Sequence, residues 1–313
     1  MPAPAGPVAA GGTGPGTIRW TVPGHARVHL DAGGEVDAVL PRRVRPASDA
    51  DSPVVVGDRA VCVRTPEGVV VESVGPRSTT LARRASGTRP VRQVIAANAD
   101  RLLAVFSAAQ PEPRWSMLDR YLVIAESAGI EPVIVITKME LAEDGLGRVL
   151  DEYRELEYHV RTLSVRTGEG LDALRADLAG RRSVLVGKSG VGKSTLLNAL
   201  VPGATQQIGV VSEANNKGRH TTTLAVLFPF EGGTLTDTPG VREIALWGVE
   251  PQHLSHWFRE MVPHLDDCRF AGSCTHSHEV GCGVKQAVEG GAISKRRYAS
   301  YMRLLTGEGG EEG

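Results

Sequence analysis

Eight consecutive residues, Gly187-Lys188-Ser189-Gly190-Val191-Gly192-Lys193-Ser194, fit the pattern G-x-x-x-x-G-K-[ST] in full. Glycines at this spacing let the backbone curl until its N–H groups face phosphate oxygens. A helix opening directly afterwards adds the partial positive charge of its N-terminus. The flanking text has that context, with apolar "SVLV" before the loop and "TLLNAL", opened by Thr195, behind it. Lys193 is expected to reach the outer phosphates and the Ser194 hydroxyl to ligate Mg²⁺, with Thr195 completing the nucleotide-binding set.

A second stretch with matching chemistry is "TLTDTPG". Asp237, at the end of an apolar run, is placed to hold Mg²⁺ through water, and the Gly240 amide to approach a γ-phosphate. Between the two lies "NNKGRHTTT", where a threonine would complete the Mg²⁺ shell; Thr222 is favoured among Thr221 to Thr223. Val241 stands where many GTPases carry a glutamine that orients the attacking water, and valine has no hydrogen-bonding side chain. His220 is the nearest substitute in cis, and an ordinary surface histidine is the competing reading. Without another group, turnover would be on the order of 10⁻³ per second or lower.

Thr137-Lys138-Met139-Glu140, behind the apolar run "PVIVI", resembles the N/T-K-x-D base reader, with glutamate in place of aspartate. A carboxylate there accepts both hydrogens from guanine N1 and N2, which adenine lacks, so discrimination can reach about 10⁴-fold. Ser164-Val165-Arg166 resembles the loop that backs the guanine. The order is then base reader, base-backing loop, phosphate loop and switch segments. That is the usual GTPase cycle opened at another point of the circle, which a doubly wound domain with neighbouring termini tolerates.

Those residues need elements to hold them. "DRLLAVFSA" is a near-continuous apolar run, as a parallel strand covered on both faces requires. "SMLDRYLVIAESAGI" reads as a helix with Ser116 at the N-cap, Asp119 at N3 and Gly129 as the stop. Further strands and helices alternate up to "SVLVG", giving an α/β doubly wound domain. Ahead of it, from Thr17 to about Arg77, short β-rich runs broken by Gly, Pro and Asp indicate a small all-β barrel. A five-stranded OB-type barrel fits the size, and an SH3-like barrel has the same periodicity. "RSTTLARRASGTRPVRQ" carries Arg77, Arg83, Arg84, Arg89 and Arg92 with no acid, and reads as a linker that is either solvated or laid along an RNA backbone.

The third chemical cluster is "CRFAGSCTHSHEVGC". Cys268, Cys274, His276 and Cys282 make a Cys₃His set suited to a closed, structural Zn²⁺ site, with His278 as a competitor for His276. Beyond it "SKRRYASYMRLL" is a basic helix that either touches RNA or is plainly amphipathic.

With a formal net charge of −1, any nucleic-acid contact must come from local patches. A hydrophobic share of 41% and a charged share of 23% suit a globular protein. No run of about 18 uncharged apolar residues argues for a membrane span. The opening "MPAPAGPVAAGGTGPG" lacks a basic n-region and a continuous apolar core, so it reads as a flexible tail and not as a secretory signal.

Taken in order, the barrel, "NADRLLAVFSA", "VIVITKMEL", "GKSGVGKSTLLNAL", "GRHTTT", "DTPGVRE" and the cysteine cluster resemble the circularly permuted GTPases of the ribosome small subunit-dependent GTPase A (RsgA) family. The resemblance implies an OB-fold, a permuted GTPase domain and a zinc domain. It also implies GTP hydrolysis stimulated by the small ribosomal subunit, contact with its rRNA, and help in its late maturation. The four zinc ligands follow from it too, although the first gap of the cluster is one residue longer than is usual there. The expected boundaries are a disordered tail over 1–16, barrel and Arg-rich linker over 17–88, GTPase domain over 89–246, and an α-rich zinc domain with an acidic tail over 247–313. The expected cofactors are one structural Zn²⁺ per chain and Mg²⁺ with GTP, in a cytoplasmic monomer. A P-loop ATPase, or an RNA-binding scaffold gated by nucleotide, are the competing readings.

Overall fold

The computed structural model describes residues 13–49, 51–84, 92–214, 225–238 and 246–307. Five strands close the N-terminal barrel: β1 (Gly14–Val22), β2 (His25–Leu30), β3 (Glu35–Val39), β4 (Arg59–Thr65) and β5 (Gly68–Val74). Their order around the barrel is β1-β2-β3-β5-β4, with β3 parallel to β5, which is the OB-type arrangement. Alternation puts Ile18, Val28, Val36, Ala60, Cys62 and Val71 inside. Lone Cys62 is thus a core residue. β1 begins at Gly14, so the strand takes in the last three residues of the tail expected over 1–16.

The described parts of the arginine-rich segment are paired strand where the sequence reading expects a linker. β6 (Thr80–Arg84) and β7 (Arg92–Ala97) pair antiparallel, which satisfies the backbone groups that face between them. Arg77 is buried: its guanidinium meets both oxygens of fully buried Asp58 at 2.7 and 2.8 Å and donates to Ser52 Oγ at 3.0 Å. The acid that the segment lacks comes from the barrel, so Arg77 is not offered to a nucleic acid. Arg83 and Arg92 are held by Gln93 and Asp49. Arg89 lies outside the described residues.

The central sheet has the order β10-β9-β8-β11-β13-β12. Its strands are β8 (Arg101–Ser107), β9 (Glu131–Thr137), β10 (His159–Thr162), β11 (Arg182–Val186), β12 (Val226–Phe230) and β13 (Gly233–Asp237); only β12 runs antiparallel. Every residue of β8 is buried, as a central strand covered on both faces demands. The helices are α1 (Trp115–Ser127), α2 (Leu146–Glu155), α3 (Leu171–Leu178), α4 (Lys193–Leu200) and α5 (Ala204–Ala214). They enclose two apolar cores, one on each face of the sheet. Arg19 of β1 ties the barrel to the sheet edge. Its Nε donates to the Leu227 carbonyl at 2.7 Å and its guanidinium lies over the Phe228 ring.

The start of α1 differs from the sequence reading. Arg114 is the N-cap residue and no side chain caps the helix, so Ser116 falls inside the first turn. Asp119 is fully buried and turned inward, where it accepts from Tyr153 Oη and from Arg297, each at 2.6 Å. A long-range ion pair has claimed the residue that local spacing assigns to the helix end. The other end is as expected: Gly129 is left-handed at φ 68°, and the Gly129 and Ile130 amides donate to Glu126 and Ala125 carbonyls in a Schellman closure.

The C-terminal module consists of short 3₁₀ turns followed by α6 (Gly283–Glu289) and α7 (Lys295–Thr306). Leu254, Phe258, Met261, Val284 and Tyr301 form its core, joined by Val123 of α1. Two basic residues of α7 point inward and not toward solvent. Arg297, 1% exposed, bonds Glu260 at 2.7 and 3.0 Å as well as Asp119, and lies over the Phe258 ring. Arg296 bonds Glu152 at 2.7 Å and Tyr153 Oη at 2.8 Å. Of the helix's basic residues Lys295 and Arg303 remain exposed. Among the described residues no helix is long and apolar enough to cross a membrane.

Arg297 is shared between two buried carboxylates, Asp119 and Glu260. Asp119→Ala leaves Arg297 paired with Glu260 and is expected to cost about 1.5–3 kcal/mol in urea unfolding, whereas Arg297→Met, which takes the shared cation from both carboxylates, should cost more, about 3–5 kcal/mol.

Candidate functional site

Strand order reverses between β8 and β11, and in a doubly wound sheet the crevice at the carboxyl ends beside such a point receives the ligand. The chain leaves β11 there at Gly187, whose φ is 152°; a Cβ at this position would fall 2.3 Å from the Val105 carbonyl oxygen of β8. Only glycine allows that approach. Gly190 and Gly192 are also left-handed, and Gly192 is the N-cap of α4. Ser189, Ser194 and Thr195 are exposed, whereas Lys188 is half-buried and Val191 buried. Lys193 Nζ folds back over the loop and donates to the Gly187 and Lys188 carbonyls at 2.6 and 2.7 Å.

Asp237 ends β13, in register with Leu185 of β11, so topology alone brings it beside the loop. Burial raises its pKa, and the Lys193 ammonium and Thr238 N–H pull it back only in part. Burial lowers the pKa of Lys193, which the Asp237 carboxylate partly offsets. Thr238 Oγ1 fixes the strand end by donating to the Leu185 carbonyl at 2.8 Å. The Ser194 hydroxyl and the Asp237 carboxylate are hard oxygen donors of the kind Mg²⁺ takes. His220, Thr222 and Gly240 lie outside the described residues.

The base-reading segment enters the same crevice from β9. Buried Thr137 donates through Oγ1 to the Val191 carbonyl of the phosphate loop at 2.6 Å. Lys138, left-handed at φ 56°, places Nζ on the Gly190 carbonyl at 2.8 Å and on that of Gln110. Glu140 stands in a 3₁₀ turn, Met139–Leu141, that is tied to the next loop by Met139 N–H to Leu163 O at 3.2 Å. Its Oε1 meets Arg166 Nε at 3.3 Å, while Oε2 is buried with no partner. The Ser164 hydroxyl, the residue's own amide and Arg166 together hold the carboxyl below the usual range. Ser164 is buried and Val165 half-buried against the apolar core under α3 and α4. Gln110 and neighbouring Pro111, which approaches Gly190, are crevice residues that sequence reasoning missed. Their only signal was "QPEP" directly after the most buried strand.

The second candidate centre lies in the C-terminal module. One ligand atom from each of Cys268, Cys274, His276 and Cys282 falls within 4.8 Å of the others, and all four residues are buried. Cys268 Sγ and Cys282 Sγ are 3.9 Å apart, and each is 3.4 Å from His276 Nδ1. A tetrahedron with Zn–S about 2.3 Å and Zn–N about 2.0 Å has edges of about 3.8 and 3.5 Å, so the four residues fit a zinc ion. His278 is exposed and bonded to Ser277, outside the cluster. His276 Nε2 meets buried Ser255 Oγ at 3.2 Å, the contact that fixes which ring nitrogen faces a metal. Ser255 lies 21 residues away and carries no sequence signal. Tyr298 and Tyr301 of α7 donate to the His276 and Thr275 carbonyls, each at 2.7 Å, pinning the ligand loop to the helix. Burial raises the Glu279 pKa, but hydrogen bonds from Thr275 and from the Glu279 and Ser277 amides outweigh it and carry the carboxyl down to about 2.

Residues 74–247 match the RsgA GTPase family model. A relative from Gemmatimonas aurantiaca, named small ribosomal subunit biogenesis GTPase RsgA, is 42% identical over 282 residues, 88% of this chain and 92% of that protein. One of the same name from Yersinia enterocolitica is 41% identical over 80% of this chain and 75% of that protein. Among solved structures, YjeQ from Thermotoga maritima superposes with a TM-score of 0.73 at 29% identity, covering 96% of this chain and all of that one. YloQ, described as a circularly permuted GTPase, gives 0.68 at 28% identity with 97% of both chains covered.

Burial pushes the Cys274 thiol up to about 12 and raises that of Cys282, so a metal must displace protons there and should bind more weakly as pH falls. Ser255→Ala is expected to lower zinc affinity about tenfold in competition with a coloured chelator, while the count of one ion per chain stays the same.

Proposed function

The chain belongs to the RsgA GTPase family, and we propose that it hydrolyses GTP to GDP and phosphate in a cycle that assists late maturation of the small ribosomal subunit. One observation carries this reading. The hydrogen bond from Thr137 to Val191 joins base reader and phosphate loop, 54 residues apart and in reversed chain order, into a single nucleotide crevice.

Within it each residue has a distinct task. Glu140 accepts from the guanine edge, with Thr137, Lys138 and the Ser164-Val165-Arg166 loop shaping that end of the crevice. The amides of Gly187 through Thr195 cradle the phosphates. Lys193 exchanges its two loop carbonyls for the outer phosphate oxygens, so its positive charge is already in place. Ser194, Asp237 and Thr222 hold Mg²⁺, which when bound offsets charge on the phosphate oxygens. The Gly240 amide takes the γ-phosphate side. His220 is the group in cis that orients the attacking water, a task the Val241 side chain lacks the atoms to perform.

One Zn²⁺ per chain, held by Cys268, Cys274, His276 and Cys282, supplies folding energy to a module with a small core. The particle, its rRNA included, is the partner of the barrel and zinc modules, which bind it as a monomer in the cytoplasm. Two modules flanking one switch domain, with no glutamine at Val241, fit an enzyme whose rate depends on its partner.

Single-turnover hydrolysis of GTP tests this. Alone, the protein should turn over at about 10⁻³ per second or slower; small subunits should raise the rate, and Lys193→Ala should reduce both to background. Equal rates with and without subunits would remove the partner-dependent part of the proposal.

A further inference from the structure

We propose that Arg166 is the specificity-determining positioning residue of this crevice, fixing the Glu140 carboxylate so that its free oxygen meets the guanine edge. The inference rests on the guanine reading above and says how this chain achieves it with a glutamate. An aspartate carboxylate sits one rotor from the backbone turn and needs little further support. Glutamate adds a methylene and a torsion, so the carboxylate sweeps a larger arc and loses more conformational freedom on being fixed.

The structure supplies a fixed point for that longer arm. Glu140 Oε1 meets Arg166 Nε at 3.3 Å, and Oε2 is buried without a partner. A buried acceptor left unmatched is costly, and guanine brings donors at N1 and N2 that satisfy it. Oε2 alone carries two lone-pair sites, enough for both base donors while Oε1 keeps the guanidinium. Arg166 itself stands on a closed loop. The Ser164 amide donates to Glu169 O at 3.0 Å, and the Gly168 amide to Ser164 O at 2.9 Å. Ser164 Oγ accepts from the Thr167 amide at 3.2 Å, leaving its hydrogen for the same carboxylate. Gly170 locks the loop base, because a Cβ there would fall 2.3 Å from the Thr162 carbonyl oxygen.

Exposure explains why the contact acts on the bound state. The Arg166 side chain is 69% exposed and that of Glu140 14%, so in the open crevice the pair is screened and worth little. A base seated against Glu140 excludes water from the pair and strengthens it as the base is read. Adenine, which brings no matching donors to Oε2, gains nothing from the same arrangement.

The test is a double-mutant cycle in the full-length, zinc-loaded protein, with dissociation constants for GDP and ADP measured by titration. Arg166→Ala should weaken GDP about tenfold and leave ADP unchanged, as loss of a hydrogen bond to a charged group implies. In a Glu140→Asp background the same substitution should weaken GDP about twofold or less, because the shorter arm does not need the support. No loss on Arg166→Ala, equal losses in both backgrounds, or equal losses for GDP and ADP would each overturn the proposal. Wild-type protein that binds ADP as tightly as GDP would instead overturn the guanine reading on which it rests.

Discussion

The bond from the Thr137 hydroxyl to the Val191 carbonyl is the contact on which the rest turns. Both groups are buried, and although the Thr137 hydroxyl also reaches the Phe106 carbonyl at 3.2 Å, the crevice cannot open there without stranding the Val191 carbonyl. It fixes the distance between the two ends of the nucleotide whatever the order of the chain. The sheet makes this possible, because β9 and β11 both end next to β8 and deliver their loops to one rim. A sheet defined by its strand neighbours is indifferent to where the polymer starts.

The same logic extends to the C-terminal module, which docks on α1 and α2 through arginines. Arg297 and Arg296 reach Asp119, Glu152 and Tyr153, and Arg259 reaches Glu126 at 2.6 Å while lying over the Tyr158 ring. The same helix, α7, holds the zinc-loop carbonyls through Tyr298 and Tyr301. One helix therefore braces both the metal loop and the GTPase domain, with Arg297 and Tyr301 one turn apart against the same Phe258 ring. Trp115 opens α1 and also stands under the Arg296 guanidinium, so the brace reaches the helix that starts beside the nucleotide crevice.

What could be read from the sequence was whatever is local in it. The phosphate loop, the cysteine cluster and the glycine stop of α1 are set by residues a few positions apart, and spacing reveals them. The arginines were harder. "RSTTLARRASG" and "SKRRYAS" look like free positive charge because no acid is near them in sequence. Their partners are Asp58, 19 residues before Arg77, and Asp119, 178 before Arg297. Asp119 was misread for the mirror reason: it has the spacing of a capping residue, and its true partner is too distant to see. Ser255 gave no signal because one buried serine resembles any other until the imidazole it faces is in place. The barrel's strand order was open between two architectures, since alternation reports which face is buried and not which strand lies beside which.

Arg19 also shields a sheet edge. β12 is the outermost strand of the central sheet and runs against its neighbours, so one row of its peptide groups faces away from β13. The guanidinium bonded to Leu227, with the barrel wall behind it, occupies part of that row. Edges of this kind are templates on which a second molecule can add a strand. The barrel is thus also a partial guard against self-association, and a fragment trimmed to the sheet and its helices would bare more of an adhesive margin that the whole chain covers in part.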